Sequence, residues 1–482
     1  MLLRKLAPLR IRAARDSKGC RKAESPLQNA SFIEAPKSVF ISFRQSNPLL
    51  VCALLAGVQG YAVAGSKTIA LLGSSTAQGV GASSYQASWA GLLTAALAGR
   101  GLVLQNVSIS ATNTGDSLAR FDRDVTPLHP AIVILATSIA NEPSDKALSG
   151  YLSNTMLLIR KVEAIGAIPV LVLPYPYNGF SAATYSGIRD IYRTFEAAGV
   201  PVLDFLDGTD DGQGHWVAGL SVDGTHPTDV GHRLLFDSIP VTLFESLLGP
   251  SLPANRRGYG SWSQNTGPDE EGSLDVAPLA PVGSWTVSFW TRSSAAVLER
   301  VLVSINGEWL QVRRIGDELE VWNGAVSVAR LRMSSGARCH QVAVTYQSIT
   351  GSLNIYIDGA LQSAAVVRGS PATSISFGGA VGLPLWNATG DEFADVLVYR
   401  APLAAADVAR IAQGEPPWKS VEAWLPLTSW PDRPYLNFAA SVVAVTPQGK
   451  WAWSADSVSL PTRYGSTPRP RTAEPAIAPA KP

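Results

Sequence analysis

Residues 68–76 read TIALLGSST, a run whose apolar positions are consecutive rather than alternating and which ends at Gly73 before a set of hydroxyls. A strand with one wet face alternates; a strand covered on both faces does not, and that condition belongs to parallel sheets packed between helices. The surroundings repeat the pattern. Positions 88–97 carry Trp89, Leu92, Leu93 and Leu97 at helical spacing and stop near Gly99. Apolar strands follow at 103–107, at 131–136 after Pro130, at 168–173 and at 200–205. Between and after them, helices are predicted over 150–165, 185–198 and from Thr228 towards Leu248. Strands alternating with helices predict a parallel sheet with helices on both faces. Ligands in such sheets bind beyond the carboxyl ends of the strands, where Gly73 and its hydroxyls fall.

Past this region the character changes. Residues 249–268 are rich in Pro, Gly and Ser and read as a linker. Beyond them the period becomes two, as at 285–290 (WTVSFW), 342–346 (VAVTY) and 353–357 (LNIYI), with the hairpin pair Asp358-Gly359 directly after. This predicts an all-β sandwich whose strands are buried on one face. From Pro461 the chain is Pro-rich and predicted to be disordered.

With 482 residues the chain is long enough for two cores, and 46% hydrophobic with 16% charged residues is a soluble globular composition. The net charge of +1 conceals an asymmetry. Residues 1–45 hold ten Lys or Arg against Asp16, Glu24 and Glu34, an excess of seven that leaves the remainder at −6. A mildly acidic body offers no phosphate-neutralising surface, so nucleic acid is not an expected partner. Cys20, Cys52 and Cys339 are the three cysteines, which build neither a disulfide framework nor a cysteine zinc site. The apolar run 49–60 is too short to span a bilayer and precedes Ala62 and Ala64, a small-x-small signal. Cleavage after Ala64 and a secreted or periplasmic protein with no stable membrane span are therefore expected. The basic stretch before it is longer than an ordinary n-region, which leaves a later translation start or a cytosolic extension as alternatives.

Two segments carry candidate chemistry. Ser75, at the end of the first strand, stands where a tight turn can aim a hydroxyl and its own N–H into a cleft, although Gly-Ser-Ser also occurs in plain loops. Residues 221–227, SVDGTHP, place Asp223 three positions before His226 with Gly224 between them. A carboxylate so placed can curl back and orient the imidazole. Histidine is scarce, with His129, His215, His226, His232 and His340 only, and the plainer reading of His226 is a loop residue at a helix start. Segments 106–113 and 136–142 follow the second and third strands and supply backbone N–H groups and the Asn141 amide, donors suited to an oxyanion. Asn141 is equally at home as a turn residue.

In this order, Gly73-Ser74-Ser75-Thr76, the segment with Ala111, the segment with Asn141, and Asp223 with His226 resemble the SGNH hydrolases, also called GDSL esterases and lipases. The resemblance covers about 67–248. It implies an α/β/α flavodoxin-like domain and ester hydrolysis through an acyl-enzyme, without metal or other cofactor. Ser75, Asp223 and His226 would be the catalytic triad, and the oxyanion hole would comprise Ser75, Ala111 and Asn141. Three positions depart from the family. Ser74 stands where Asp is common, Ala111 where the second block has Gly, and Ile139 where the third usually has Gly. A positive φ at Ala111 would be strained, and Ile139 is expected to narrow the acyl pocket.

The second half, through 285–290, 340–346, 356–359 and 395–403, resembles laminin-G-like, concanavalin A-like jelly rolls, with Cys339 where that family commonly has Trp. Such domains often bind carbohydrate, sometimes with calcium. Asp358, Asp391, Glu392 and Asp395 are candidate ligands, and Trp309, Trp322 and Trp386 candidate sugar platforms, against turn chemistry and core packing as plainer accounts. The layout is thus a basic extension with signal peptide (1–64), an SGNH hydrolase domain (65–248), a linker (249–268), a concanavalin A-like sandwich (269–460) and a tail (461–482). An ester substrate is expected, with an acetylated polysaccharide held by the β domain as the specific case. The alternatives are a carbohydrate-binding or adhesion protein with an inactive hydrolase-like domain, and a glycosidase using Glu318 and Glu320.

Overall fold

The computed structural model describes residues 67–143, 147–249, 261–265, 273–292, 299–333, 339–378, 389–427, 437, 439, 443–448 and 451–454. The chain divides into two compact units, Met1–Ala62 and Val63–Pro482, and the described residues all lie in the second. The expected export segment, most of the linker, the tail, Trp386 and the side chains of Asp391 and Glu392 lie outside them.

The first half is a parallel sheet of β1 (Thr68–Gly73), β2 (Val103–Asn106), β3 (Ile132–Ala136), β4 (Ile168–Val172) and β5 (Val202–Leu203), in the order β2-β1-β3-β4-β5. This is the flavodoxin-like order, and its switch point lies between β1 and β3. Helices α1 (Ser75–Gln78), α2 (Trp89–Ala98), α3 (Thr114–Asp124), α4 (Ala147–Ala164), α5 (Ala182–Ala197), α6 (Asp229–Asp237) and α7 (Leu243–Leu248) fill the connections. The unbroken apolar run of β1 is explained by its two faces. Ile69 and Leu71 join Trp89, Leu93 and Leu97 of α2 with Leu235 of α6, while Ala70 and Leu72 join Phe121 of α3, Tyr151 of α4 and Ile188 of α5. Each fully buried Leu or Ile contributes about 1.5–3 kcal/mol. Among the described residues no helix is long and apolar enough to cross a membrane.

Several boundaries differ from expectation for identifiable reasons. The last helix is two, α6 and α7, because Pro240 between them lacks the N–H that a continuous helix needs. Helix α3 is absent from the sequence reading because it is mostly polar. It starts on a capping box, in which Asn113 Oδ1 accepts the Asp116 N–H (2.9 Å) and Asp116 Oδ2 accepts the Asn113 N–H (3.0 Å).

The second half is a sandwich of two antiparallel sheets. One runs β12 (Val326–Arg332), β11 (Glu318–Asn323), β10 (Leu310–Ile315), β9 (Arg300–Ile305), β16 (Ile375–Gly378), β7 (Ser273–Ala277), β19 (Ala444–Gln448). The other runs β15 (Ala360–Val366), β14 (Ser352–Ile357), β13 (His340–Gln347), β8 (Trp285–Arg292), β17 (Thr389–Tyr399), β6 (Ser261–Asn265), β20 (Trp451–Ser454), with β18 (Val421–Leu425) also on β17. Asp358 (φ 51) and Gly359 (φ 78) form the expected hairpin turn between β14 and β15. One expectation fails: β13 is buried along its whole length, and β8 at all but its last residue, rather than on one face. Inward-facing Trp285, Val287 and Phe289 meet the sandwich core, and helix α8 (Ala405–Ala412) roofs the opposite face through Val408 and Ile411 against Ala343, Tyr356, Leu397 and Tyr399.

The two halves are joined by more than the linker. Lys419 forms a parallel bridge with Val202, the Ser420 N–H donates to the Val202 carbonyl (3.0 Å), and Ser420 Oγ accepts the Asp204 N–H (2.7 Å). A piece of the β half thereby covers the edge of the parallel sheet, an edge that would otherwise present unpaired backbone groups.

Candidate active site

Strand β1 delivers Ser75 to the switch point through a crossing with no spare space. A Cβ on Gly73 would lie 2.5 Å from Ala77 Cβ and 2.7 Å from the Ala136 carbonyl oxygen. Close approach rather than an unusual φ is what demands glycine there. Ser74 stands just before α1 without capping it; its side chain turns inward, the hydroxyl 3.1 Å from the Tyr175 hydroxyl. That leaves Ser75 as the first residue of α1, where an N–H has no partner within the helix and the local dipole favours negative charge.

Ser75 Oγ lies 3.0 Å from His226 Nε2, and His226 Nδ1 lies 2.7 Å from Asp223 Oδ2. A carboxylate only accepts, so Nδ1 carries the hydrogen and Nε2 presents its lone pair to the serine hydroxyl. The acid is held by its own turn, because Asp223 Oδ1 accepts the backbone N–H groups of Thr225 (2.8 Å) and His226 (2.7 Å). Partial burial works against its charge, yet the imidazole and these N–H groups hold its pKa down at about 2. Gly224 reverses the chain at φ 80, and a Cβ there would come within 3.0 Å of Asn178 Nδ2. The Asp223 side chain is half exposed and that of His226 one-fifth exposed, so the pair opens to solvent.

The other two sequence candidates line up beside β1. Asn141 ends a short 3-10 turn after β3, and its Nδ2 donates to the Thr112 carbonyl (3.0 Å). Thr112 Oγ1 donates to the Ile109 carbonyl (2.7 Å) and lies 3.4 Å from the Gly73 carbonyl oxygen. Glu142 Oε1 accepts the Thr114 N–H (2.8 Å), tying the two segments together again. Ala111 sits at φ 60, the left-handed conformation that is strained for a residue with a Cβ. Ala111→Gly is expected to raise stability by about 0.5–1 kcal/mol, the relief of strain minus the entropy glycine adds to the unfolded chain. A urea midpoint below that of the natural chain would contradict it. Ile139 is buried in the same apolar cluster as Leu72, Phe121 and Tyr151, so its side chain is part of the core.

Sequence reading missed the residues that hold the Asp223–His226 turn. The Asn178 N–H donates to the Gly224 carbonyl (2.9 Å) and its Oδ1 accepts the Trp216 N–H (2.9 Å), from a Pro-Tyr-Pro-Tyr-Asn-Gly loop without periodicity. His232, in the first turns of α6, is fully buried; burial lowers its pKa to about 4, so it is neutral at pH 7. Its Nε2 donates to the Val80 carbonyl (3.2 Å) and its Nδ1 accepts the Trp89 N–H (3.4 Å), tying α6 to the segment that leaves α1.

In the β half the other candidates have structural partners. Asp395 is buried and accepts the Trp424 indole N–H (2.7 Å). Asp358 accepts the Gln341 N–H (3.0 Å) and lies 2.9 Å from His340 Nδ1. Trp309 packs edge-on against Trp285 and Tyr346, so it belongs to the core margin. Trp322 lies under the Arg313 guanidinium (4.6 Å) and donates to Glu320 (2.9 Å). Glu320 is completely buried and paired with Arg330, whereas Glu318 faces Arg330 and Arg332, which is not an acid–base pair across a cleft.

Residues 71–234 match the GDSL-like Lipase/Acylhydrolase family, and residues 266–409 match the Concanavalin A-like lectin/glucanases superfamily. Solved structures are similar to parts of the chain. A G-D-S-L family protein of Desulfitobacterium hafniense DCB-2 is 22% identical over 36% of this chain and 97% of its own, with a TM-score of 0.31. TesA is 23% identical over 35% and 94%, with a TM-score of 0.31. The heptameric SAP-like pentraxin of Limulus polyphemus is 12% identical over 42% and 97%, with a TM-score of 0.32. No curated protein matches the chain. The first half is therefore a hydrolase domain of the GDSL type, followed by a concanavalin A-like domain, as the motifs implied.

Proposed function

We propose that this pairing of a GDSL-like hydrolase domain with a concanavalin A-like domain is a serine esterase that works through an acyl-enzyme on Ser75. The observation that carries the reading is the unbroken path from Asp223 through His226 to Ser75, with contacts of 2.7 and 3.0 Å. In the first step Ser75 Oγ bonds to the ester carbonyl carbon while His226 Nε2 takes its proton, and Asp223 stabilises the imidazolium. The carbonyl electron pair moves to oxygen, where the N–H groups of Ser75 and Ala111 and the Asn141 amide receive it. As the intermediate collapses, His226 gives the proton to the departing alcohol. Water then repeats the sequence on the acyl-enzyme and restores the serine.

The more specific reading is removal of acetyl groups from a polysaccharide held by the β domain, in a protein exported after cleavage at Ala64. The half-exposed Asp223 supports a site that a bulky polymer reaches. The test is direct. The purified protein should release acetate from acetylated glycans and from simple acetate esters, and a fluorophosphonate probe should label the peptide containing Ser75. A marked preference for long acyl chains would overturn the polysaccharide reading, and failure of both labelling and turnover would leave a binding scaffold. An exported protein that still begins at Met1 would overturn the cleavage.

A further inference from the structure

A buried ammonium from the β half stands at the start of the segment that leads to the Asp223–His226 turn. Lys419 Nζ lies 2.9 Å from Asp204 Oδ2, 2.5 Å from Asp207 Oδ2 and 2.8 Å from Asp407 Oδ2. Its side chain is 4% exposed. All three carboxylates are within ion-pair distance of the ammonium, and Asp207 Oδ2 accepts a hydrogen bond from it. Around this core, Arg189 pairs with Asp207 and, at 3.3 Å, with Asp407, while Arg410 reaches Asp407 (3.3 Å) and Glu196 (3.2 Å). Four buried carboxylates therefore share three cations.

Two of the three acids on Lys419 lie immediately after β5, and what they hold is the start of a long strap. Asp204 Oδ1 accepts the N–H groups of Leu206 (3.0 Å) and Asp207 (2.9 Å), and Gln347 of β13 donates to the Gly208 carbonyl (2.9 Å). From there the backbone is laced to itself up to the site. Val217 N–H donates to Thr209 O (3.1 Å), Leu220 N–H to Val217 O (3.1 Å), Thr228 N–H to Leu220 O (2.8 Å) and Val222 N–H to His226 O (2.9 Å). Asp210 bridges to Trp216, and Asp210 Oδ2 accepts the Gly214 N–H (3.1 Å). A hydrogen-bonded ribbon therefore runs from this root to the turn that carries the imidazole.

We propose that Lys419 is a positioning residue for the hydrolase site: from the β domain it fixes residues 204–208 and thereby holds His226 at Ser75. Without its charge, Asp204, Asp207 and Asp407 would repel one another with Arg189 as the nearest remaining cation, and the root would take up protons or open to water. The inference rests on the esterase reading, so its test has an arm that does not depend on turnover.

The experiment uses the full chain with Lys419→Met and, because that change can impair folding, the milder Ser420→Ala, which removes the acceptor for the Asp204 N–H. Hydrogen–deuterium exchange should be at least about tenfold faster across 204–228 in Lys419→Met and several-fold faster in Ser420→Ala, with α2 and α4 unchanged. On an aryl acetate, kcat should fall about tenfold or more in the first and several-fold in the second, with KM within about twofold, because the groups lost act after binding. Wild-type exchange in that strap, faster exchange spread evenly over the whole molecule, or unchanged kcat in folded variants would each overturn the proposal. A natural chain that neither turns over esters nor labels at Ser75 would instead defeat the esterase reading and with it the catalytic role of Lys419, while the exchange arm would still report whether Lys419 anchors the strap.

Discussion

Ser75→Ala is expected to lower turnover of a simple aryl acetate by about 10⁴–10⁶-fold, with little change in stability. The loss is large because no other group of the site can form the acyl bond, and because His226 and Asp223 act only through that hydroxyl. The backbone N–H at the start of α1 survives the substitution, so a residual rate from electrostatic stabilisation alone is expected. Stability is spared because the hydroxyl is a small group facing an imidazole that is itself one-fifth exposed and can bind water in its place. Steady-state kinetics and thermal unfolding on the same preparation decide the matter. Substantial turnover in the folded variant would remove Ser75 from the mechanism.

The second large effect is on stability. Arg400 is buried with Glu422 in a two-pronged pair, Nε to Oε2 at 2.7 Å and Nη2 to Oε1 at 3.1 Å, both side chains 3% exposed. Its remaining N–H groups reach the carbonyls of Asp237 (3.0 Å), Ala280 (2.8 Å) and Pro281 (3.3 Å). It therefore joins the end of α6 to the entry of the sandwich. Arg400→Met is expected to cost about 3–5 kcal/mol, because it strands a buried carboxylate and three backbone acceptors. The double variant Arg400→Met/Glu422→Leu should recover much of that, since the stranded charge rather than the lost attraction dominates. Urea midpoints of the three chains measure it, and a single variant as stable as the natural chain would refute it.

How much of this was legible in the sequence depended on whether the cause was local. The continuous apolar runs of β1, β3 and β4 reported burial on both faces, and 221–227 reported a self-curling turn, because each effect is contained within a few residues. Ala111 marked a question that only φ could answer. Other features left no local trace. β8 alternates as though one face were wet, yet Thr286 and Ser288 are buried beneath groups from distant segments, with Thr286 Oγ1 on the Ala401 carbonyl (2.7 Å) and Ser288 Oγ accepting from Gln341 (2.8 Å). Lys419 sits in a Pro-Pro-Trp-Lys-Ser stretch without periodicity, and two of its three partners, Asp204 and Asp207, lie more than two hundred residues away. Asn178 likewise acquires its role only when its loop meets 216–224.

The edge cover on β5 also orders events in time. Asp204 and the Ser420 hydroxyl that accepts its N–H are separated by 216 positions. At ribosomal speeds of about 5–20 residues per second, roughly 10–40 s pass between the emergence of one and of the other. Throughout that interval the nascent hydrolase sheet has an unprotected border, and Asp204 and Asp207 await the Lys419 ammonium, so the last step of its assembly must wait until most of the second domain has been made.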